Sequence, residues 1–214
     1  MAKLSKGIFG PVSGRIGSVV GATWKSIAYL RSMPRKKKQK TVRTPAQIAN
    51  QMKFKFVTEW LVPFYPYVSN GFRHLAQEKT EINAAFSLNY KQAVKGKYPD
   101  VNISYPDVVL SKGNLPGLME AEVSRKEPDV ILLTWEKNEE LYQVSFNDQL
   151  MLVLYSPELK IADGFIGGVK RASQKCTFKM NPKLANKALE VYVSTYTLNG
   201  KLVSDSIYLG RIEP

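Results

Sequence analysis

The chain has 214 residues, 44% of them apolar and 23% charged, which is enough to bury a core and excludes wholesale disorder. Its net charge is +13, and the whole excess lies at one end: residues 1–58 hold 13 of the 31 Lys and Arg with no Asp or Glu, while the remaining 156 residues balance 18 basic against 18 acidic side chains. A single cysteine, Cys176, excludes an intramolecular disulfide and a cysteine-based zinc site, and no run of eighteen apolar residues is present to span a membrane as a helix.

Pro11, Gly14 and Arg15 interrupt any apolar stretch after Lys6, so the start does not read as a signal peptide. A cytoplasmic location, or one inside an assembled particle, is expected over secretion. Residues 14–32 predict a β-hairpin, with Val19, Val20, Trp24, Ile27, Tyr29 and Leu30 as strand formers and Lys25-Ser26 as the connection. The glycines Gly14, Gly17 and Gly21 suit close backbone approach or positive φ. Residues 35–43 (RKKKQKTVR) read as an exposed basic arm.

Thr44-Pro45-Ala46-Gln47 is a capping box with proline at the first helical position, and Ile48, Ala49, Met52, Phe56 and Trp60 recur at helical spacing behind it. Pro63 and Pro66 break that helix, and FYPYVSNGF predicts a short kinked continuation. A second helix is expected from about Glu81 to Val94, capped by Thr80 and stopped by Gly96, burying Ile82, Ala85, Phe86, Tyr90 and Ala93. From residue 100 short alternating runs predict strands at 101–105, 107–111, 118–124, 129–135, 149–155, 175–180, 188–197 and 202–210, with Asn199-Gly200 a strong hairpin signal. The fold class expected is α+β, in three parts: a glycine-rich hairpin and basic arm over 1–43, a helical segment over 44–97, and an antiparallel β-sandwich over 98–214.

Two resemblances sharpen this reading. VILLTW at 130–135, LMLVLY at 150–155 and the terminal hairpin at 189–212 resemble the second, central and last strands of a fibronectin type III or immunoglobulin-like domain, with Trp135 in its core. The size of 118–214 suits such a module and implies that it folds alone. GxxGxVVGxxWK at 14–25, LRSMP at 30–34, TPAQ and KFKFV within 44–57, YPDVNISYPDVVLSKGNLPG at 98–117, LTW, DQLMLVLYSPE at 148–158 and DSIYLG together resemble an uncharacterised family of basic proteins common in Bacteroidota genomes. That family usually has Lys-Gly where this chain has Lys25-Ser26, and the resemblance implies no activity.

None of the short motifs carries catalytic chemistry. GPVSGRIGSVVG lacks the Lys-Ser/Thr pair of a P-loop and leads into a strand, which also excludes the dinucleotide pattern; GRIG has only the bare GxxG form of KH loops. His74, the one histidine, has no nucleophile pattern near it, and Glu120, Glu122, Glu136, Glu139, Glu140 and Asp148 lack metal-loop spacing. No enzyme, cofactor or metal is expected. The functional signal is the cluster Arg31, Arg35, Lys36, Lys37, Lys38, Lys40 and Arg43, suited to salt-sensitive, sequence-independent contact with nucleic acid or another polyanion. Trp24 and Tyr29 beside it either stack on unpaired bases or, the reading preferred, pack under the hairpin. Val20, Trp24, Ile27 and Tyr29 give the hairpin more apolar surface than a solvated tail carries, so it is expected to be an assembly interface with another copy. The function expected is a non-enzymatic structural or assembly protein, of the kind found in a virion or phage-like particle. The alternatives are a cellular nucleic-acid-binding protein and a surface or secreted adhesion module.

Overall fold

The computed structural model describes residues 3–4, 7, 10–24, 27–34, 42–75, 79–137, 145 and 147–214. The fold is α+β, and the chain divides into two compact units, Met1–Arg43 and Thr44–Pro214.

The first unit is a sheet of four antiparallel strands in chain order: β1 (Lys3–Leu4), β2 (Val12–Ile16), β3 (Val19–Trp24) and β4 (Ile27–Ser32). The hairpin expected over 14–32 is its second half. β3 and β4 pair along their whole length, from Val19 opposite Ser32 to Trp24 opposite Ile27, while the connection Lys25-Ser26 lies outside the described residues. What the sequence reading missed is the second hairpin, which supplies the third strand that an isolated ribbon needs for stability. Gly17 and Ser18 turn β2 into β3, and Gly17 takes φ +56°, a conformation glycine adopts without a steric penalty. Gly21 serves a different purpose: the carbonyl of Val12 crosses so close that any β-carbon at Gly21 would collide with it.

The second unit opens with α1 (Pro45–Leu61), started by the expected capping box: Thr44 Oγ1 accepts from the Gln47 amide at 3.3 Å and Gln47 Oε1 accepts from the Thr44 amide at 3.1 Å. A 3-10 turn over Val62–Phe64 leads straight into α2 (Tyr65–Gly71), so the prolines bend the helical run without ending it. α3 (Glu81–Gln92) follows, capped by Thr80, and then a two-residue ribbon of β5 (Val94–Lys95) with β6 (Asn102–Ile103). The segment 107–111, expected as a strand, joins no ladder: Asp107 closes a 3-10 turn (Tyr105–Asp107) and the chain bends at Leu110. Its central backbone groups go to side chains: buried Asn89 bonds both the amide and the carbonyl of Val109 at 2.9 and 2.7 Å, and Ser206 Oγ accepts from the Leu110 amide at 3.0 Å.

Seven strands complete the unit: β7 (Met119–Glu127), β8 (Val130–Glu136), β9 (Gln149–Ser156), β10 (Ile161–Lys170), β11 (Lys175–Lys179), β12 (Leu189–Tyr196) and β13 (Ile207–Ile212). They form two antiparallel sheets, ordered β11-β8-β7 and β10-β9-β12-β13. The chain changes sheets between β8 and β9, β10 and β11, and β11 and β12, the crossing pattern of an immunoglobulin-like sandwich. Trp135 is 4% exposed in its core, as expected, and Trp135 Nε1 donates to the Arg171 carbonyl at 2.7 Å. The Asn199-Gly200 turn is present, closed by the Tyr196–Val203 bridge and a 2.7 Å bond from the Gly200 amide to the Thr197 carbonyl.

The four-stranded sheet of the sandwich has two buried faces. On one, Leu150, Leu152, Leu154, Val191 and Val193 meet Ile131, Leu133 and Trp135 of the three-stranded sheet. On the other, Met151, Val153, Tyr155 and Tyr192 pack with Val57, Leu61, Phe64, Val68 and Phe72 of the helices and with Val108 and Leu110. Every residue of β9 is therefore buried. Helices, four-stranded sheet and three-stranded sheet make three layers around two cores.

Candidate polyanion-binding and assembly surface

Residues directly opposite in an antiparallel pair lie on the same face of a sheet, and every second residue along a strand returns to it. Applied to the N-terminal sheet, Arg15, Val20 and Arg31 form one row across β2, β3 and β4. Ala22 with Tyr29, and Trp24 with Ile27, form the next two rows on that face. The four side chains expected at an assembly interface, Val20, Trp24, Ile27 and Tyr29, are thus brought together, with two arginines at one end of them. Trp24 and Tyr29 are each 42% exposed, Ile27 is 56% exposed and Val20 is half-buried. All six residues of β4 are exposed, and β4 is an edge of the sheet.

Of the expected basic cluster, Arg31 stands exposed on β4 and Arg43 stands exposed ahead of the helix cap. Arg35, Lys36, Lys37, Lys38 and Lys40 lie outside the described residues. Arg15 was not among the residues picked from sequence. It is separated from the basic tract in the chain, and only the β2–β3 and β3–β4 registers together bring it level with Arg31; Arg15 Nε donates to the Gly17 carbonyl at 2.9 Å.

Within the second unit, the outer half of α1 departs from its expected role. Ile48, Met52 and Phe56 are 39%, 44% and 37% exposed, because the helix packs through Val57, Trp60 and Leu61 instead. Two apolar clefts flank it. One of about 330 Å³ is lined by Phe56, Trp60, Tyr105, Tyr155 and Pro157, and one of about 440 Å³ between α1 and α3 by Phe54, Leu61, Tyr65, Ile82 and Phe86. Neither converges nucleophile and base. His74 is exposed on the turn after α2, and Glu120, Glu122 and Glu136 are exposed on strands. Asp148 is buried beside Arg171, 3.8 Å from its Nε; burial raises its carboxyl above the usual range, opposed by the Ser145 amide and by Arg171. Cys176 is buried in the sandwich core, and burial pushes its thiol up, away from thiolate chemistry. Among the described residues no group of three or more His, Cys, Asp or Glu is placed to hold a metal ion, and no helix is long and apolar enough to cross a membrane.

A two-unit architecture of this kind, a small basic sheet joined to a helix-covered sandwich, defines a class by fold alone. Residues 11–210 match the model of a family of unknown function (DUF6266), and the chain belongs to that family. The matched span takes in both units. No curated protein matches the chain.

Proposed function

We propose that this chain is a non-enzymatic assembly protein, one of a family of basic proteins from Bacteroidota, whose N-terminal unit contacts nucleic acid or another polyanion within a virion- or phage-like particle. The observation that carries the reading is the exposed face of the N-terminal sheet, where Trp24, Tyr29, Ile27 and Val20 lie beside Arg15 and Arg31 in a segment that has no acidic residue before Glu59. An exposed apolar patch beside cations is the mark of an interaction surface and is attracted to negative charge.

Assembly through that face, copy against copy with the ends aligned, would set Arg15 and Arg31 against their own equivalents. The edge of β4 offers a route without that repulsion: six exposed residues with one side of the ladder unpaired among the described residues, suited to take a strand from another copy. The helix-covered sandwich is then the body of the subunit.

Multi-angle light scattering of the full chain against a chain lacking residues 1–43 tests the reading. The full chain is expected to form a species several times the subunit mass, and the truncated chain a folded monomer. The same number of subunits in both overturns the assembly reading. A full-length monomer that still binds oligonucleotides would move the protein to the class of cellular nucleic-acid-binding proteins, and one that binds none would reopen the adhesion-module reading.

A further inference from the structure

We propose that the Trp24 face of the N-terminal sheet is a stacking platform for single-stranded nucleic acid, with Arg15 and Arg31 as its phosphate contacts; this rests on the polyanion reading above and names the polyanion. Trp24 and Tyr29 are diagonal neighbours across β3 and β4, one row apart on the same face. Diagonal neighbours have α-carbons about 7–8 Å apart, within reach of one another's aromatic side chains. Ala22, opposite Tyr29, is the small residue of its row. Arg15 and Arg31 close the face at one end, flanking Val20.

Three features select this occupant. The first is charge: the absence of acid before Glu59 leaves nothing to repel a phosphate backbone, and the basic tract at 35–43 continues from the strand that carries Arg31. The second is the pairing of rings with arginines, since aromatic side chains give base stacking that tolerates any sequence while cations track the backbone. The third is the strandedness. In a duplex each base already stacks on its neighbours, and only unpaired bases can be splayed onto an exposed ring. A second copy of the same face, packed with its ends aligned, would set its arginines against their equivalents.

The chain carries its own reporter. Of its three tryptophans, Trp24 is 42% exposed, whereas Trp60 and Trp135 are 8% and 4% exposed, so a quencher that acts from solvent acts on Trp24. The experiment titrates the full chain with (dT)20 and with the (dA)20·(dT)20 duplex, following tryptophan emission and, in parallel, anisotropy of labelled strands. Expected are saturable quenching by (dT)20, none by the duplex, and salt-dependent binding of both. Trp24→Leu should weaken (dT)20 roughly tenfold or more while leaving the duplex within about twofold. Tyr29→Leu keeps the reporter and should weaken (dT)20 likewise, which guards against a Trp24 variant that has lost the sheet; unchanged duplex binding shows the basic segment is intact. Equal affinity for both probes without quenching, or variants indistinguishable from the parent, overturns the platform and leaves polyanion binding by the arm standing. Binding of neither probe overturns both readings. Trp24 emission that changes with protein concentration but not with oligonucleotide makes the face a protein interface, which also overturns the proposal.

Discussion

At the scale of single residues, the middle of the large unit is an aromatic and polar layer that no local pattern announces. Tyr155 and Tyr192 are buried between helices and sheet, Tyr192 Oη donates to the Tyr105 carbonyl at 2.9 Å, and Tyr208 Oη donates to Glu190 Oε2 at 2.5 Å. Burial raises the Tyr67 hydroxyl from 10.0 to about 12, with the Asp163 charge adding to it. Burial first, then neighbouring acids or phenols, raises Tyr155, Tyr192 and Tyr208 as well. The folded state therefore holds these protons more tightly than the unfolded chain, which releases them near pH 10. The stability linked to them is complete below pH 10 and is lost as the pH rises through and beyond about 12. Absorbance at 295 nm and far-ultraviolet circular dichroism, followed together from pH 9 to 13, should show a late tyrosinate step that coincides with loss of structure. A tyrosinate rise complete by pH 10.5 with the fold intact would contradict the burial. Trp135 was legible in the sequence because a tryptophan closing an apolar strand has one sensible place. Glu190 and Arg171 were not, because a charged residue in a strand reads as solvent-facing until its partners are known; Arg171 is 4% exposed, and its Nη2 donates to Thr195 Oγ1 at 2.6 Å.

At the scale of elements, most strands of the sandwich and both expected helices were legible because their period and punctuation agree. β10 was not: IADGFIGGVK places Gly164, Gly167 and Gly168 at positive φ and breaks the alternation with a bulge before Lys170. The stripe Ile48-Met52-Phe56 misled in the other direction, since periodicity shows that a face is apolar and not that something covers it. The two-sided burial of the sandwich's four-stranded sheet also revises the expectation that 118–214 folds alone. Without residues 44–117, Met151, Val153, Tyr155 and Tyr192, each at most 2% exposed, would face water together. At about 1.5–3 kcal/mol for each large apolar side chain exposed, the penalty is comparable to the net stability of an ordinary domain. Expressed alone, 118–214 should aggregate or bind a hydrophobic dye, whereas 44–214 should unfold in one cooperative transition. A soluble 118–214 with the same denaturation midpoint as 44–214 would show the helices to be dispensable.

At the scale of the whole molecule, charge is divided as the fold is. The acid-free stretch runs through the first unit and into α1, and the neutral remainder is the sandwich with its helical cover. This division was fully legible, since a count of charges along the chain needs no structure. Which charges share a face was not, because it depends on strand register. Changing Lys36, Lys37 and Lys38 to Ala should lower the slope of log affinity against log salt for duplex DNA by roughly two to three, at about 0.7–0.9 for each phosphate the arm no longer neutralises. Anisotropy titrations between 50 and 300 mM salt measure it; an unchanged slope would remove the arm from the binding surface.

The double burial of β9 and β12 also sets a schedule. The ribosome makes α1 and α2 well before β9 begins at Gln149, and the last fully buried partner of their apolar face, Tyr192, emerges near the end of the chain. At roughly 5–20 residues per second the helices wait on the order of ten seconds with that face uncovered. A nascent chain with such a face uncovered is a substrate for holdase chaperones until the sheet that buries it has been made.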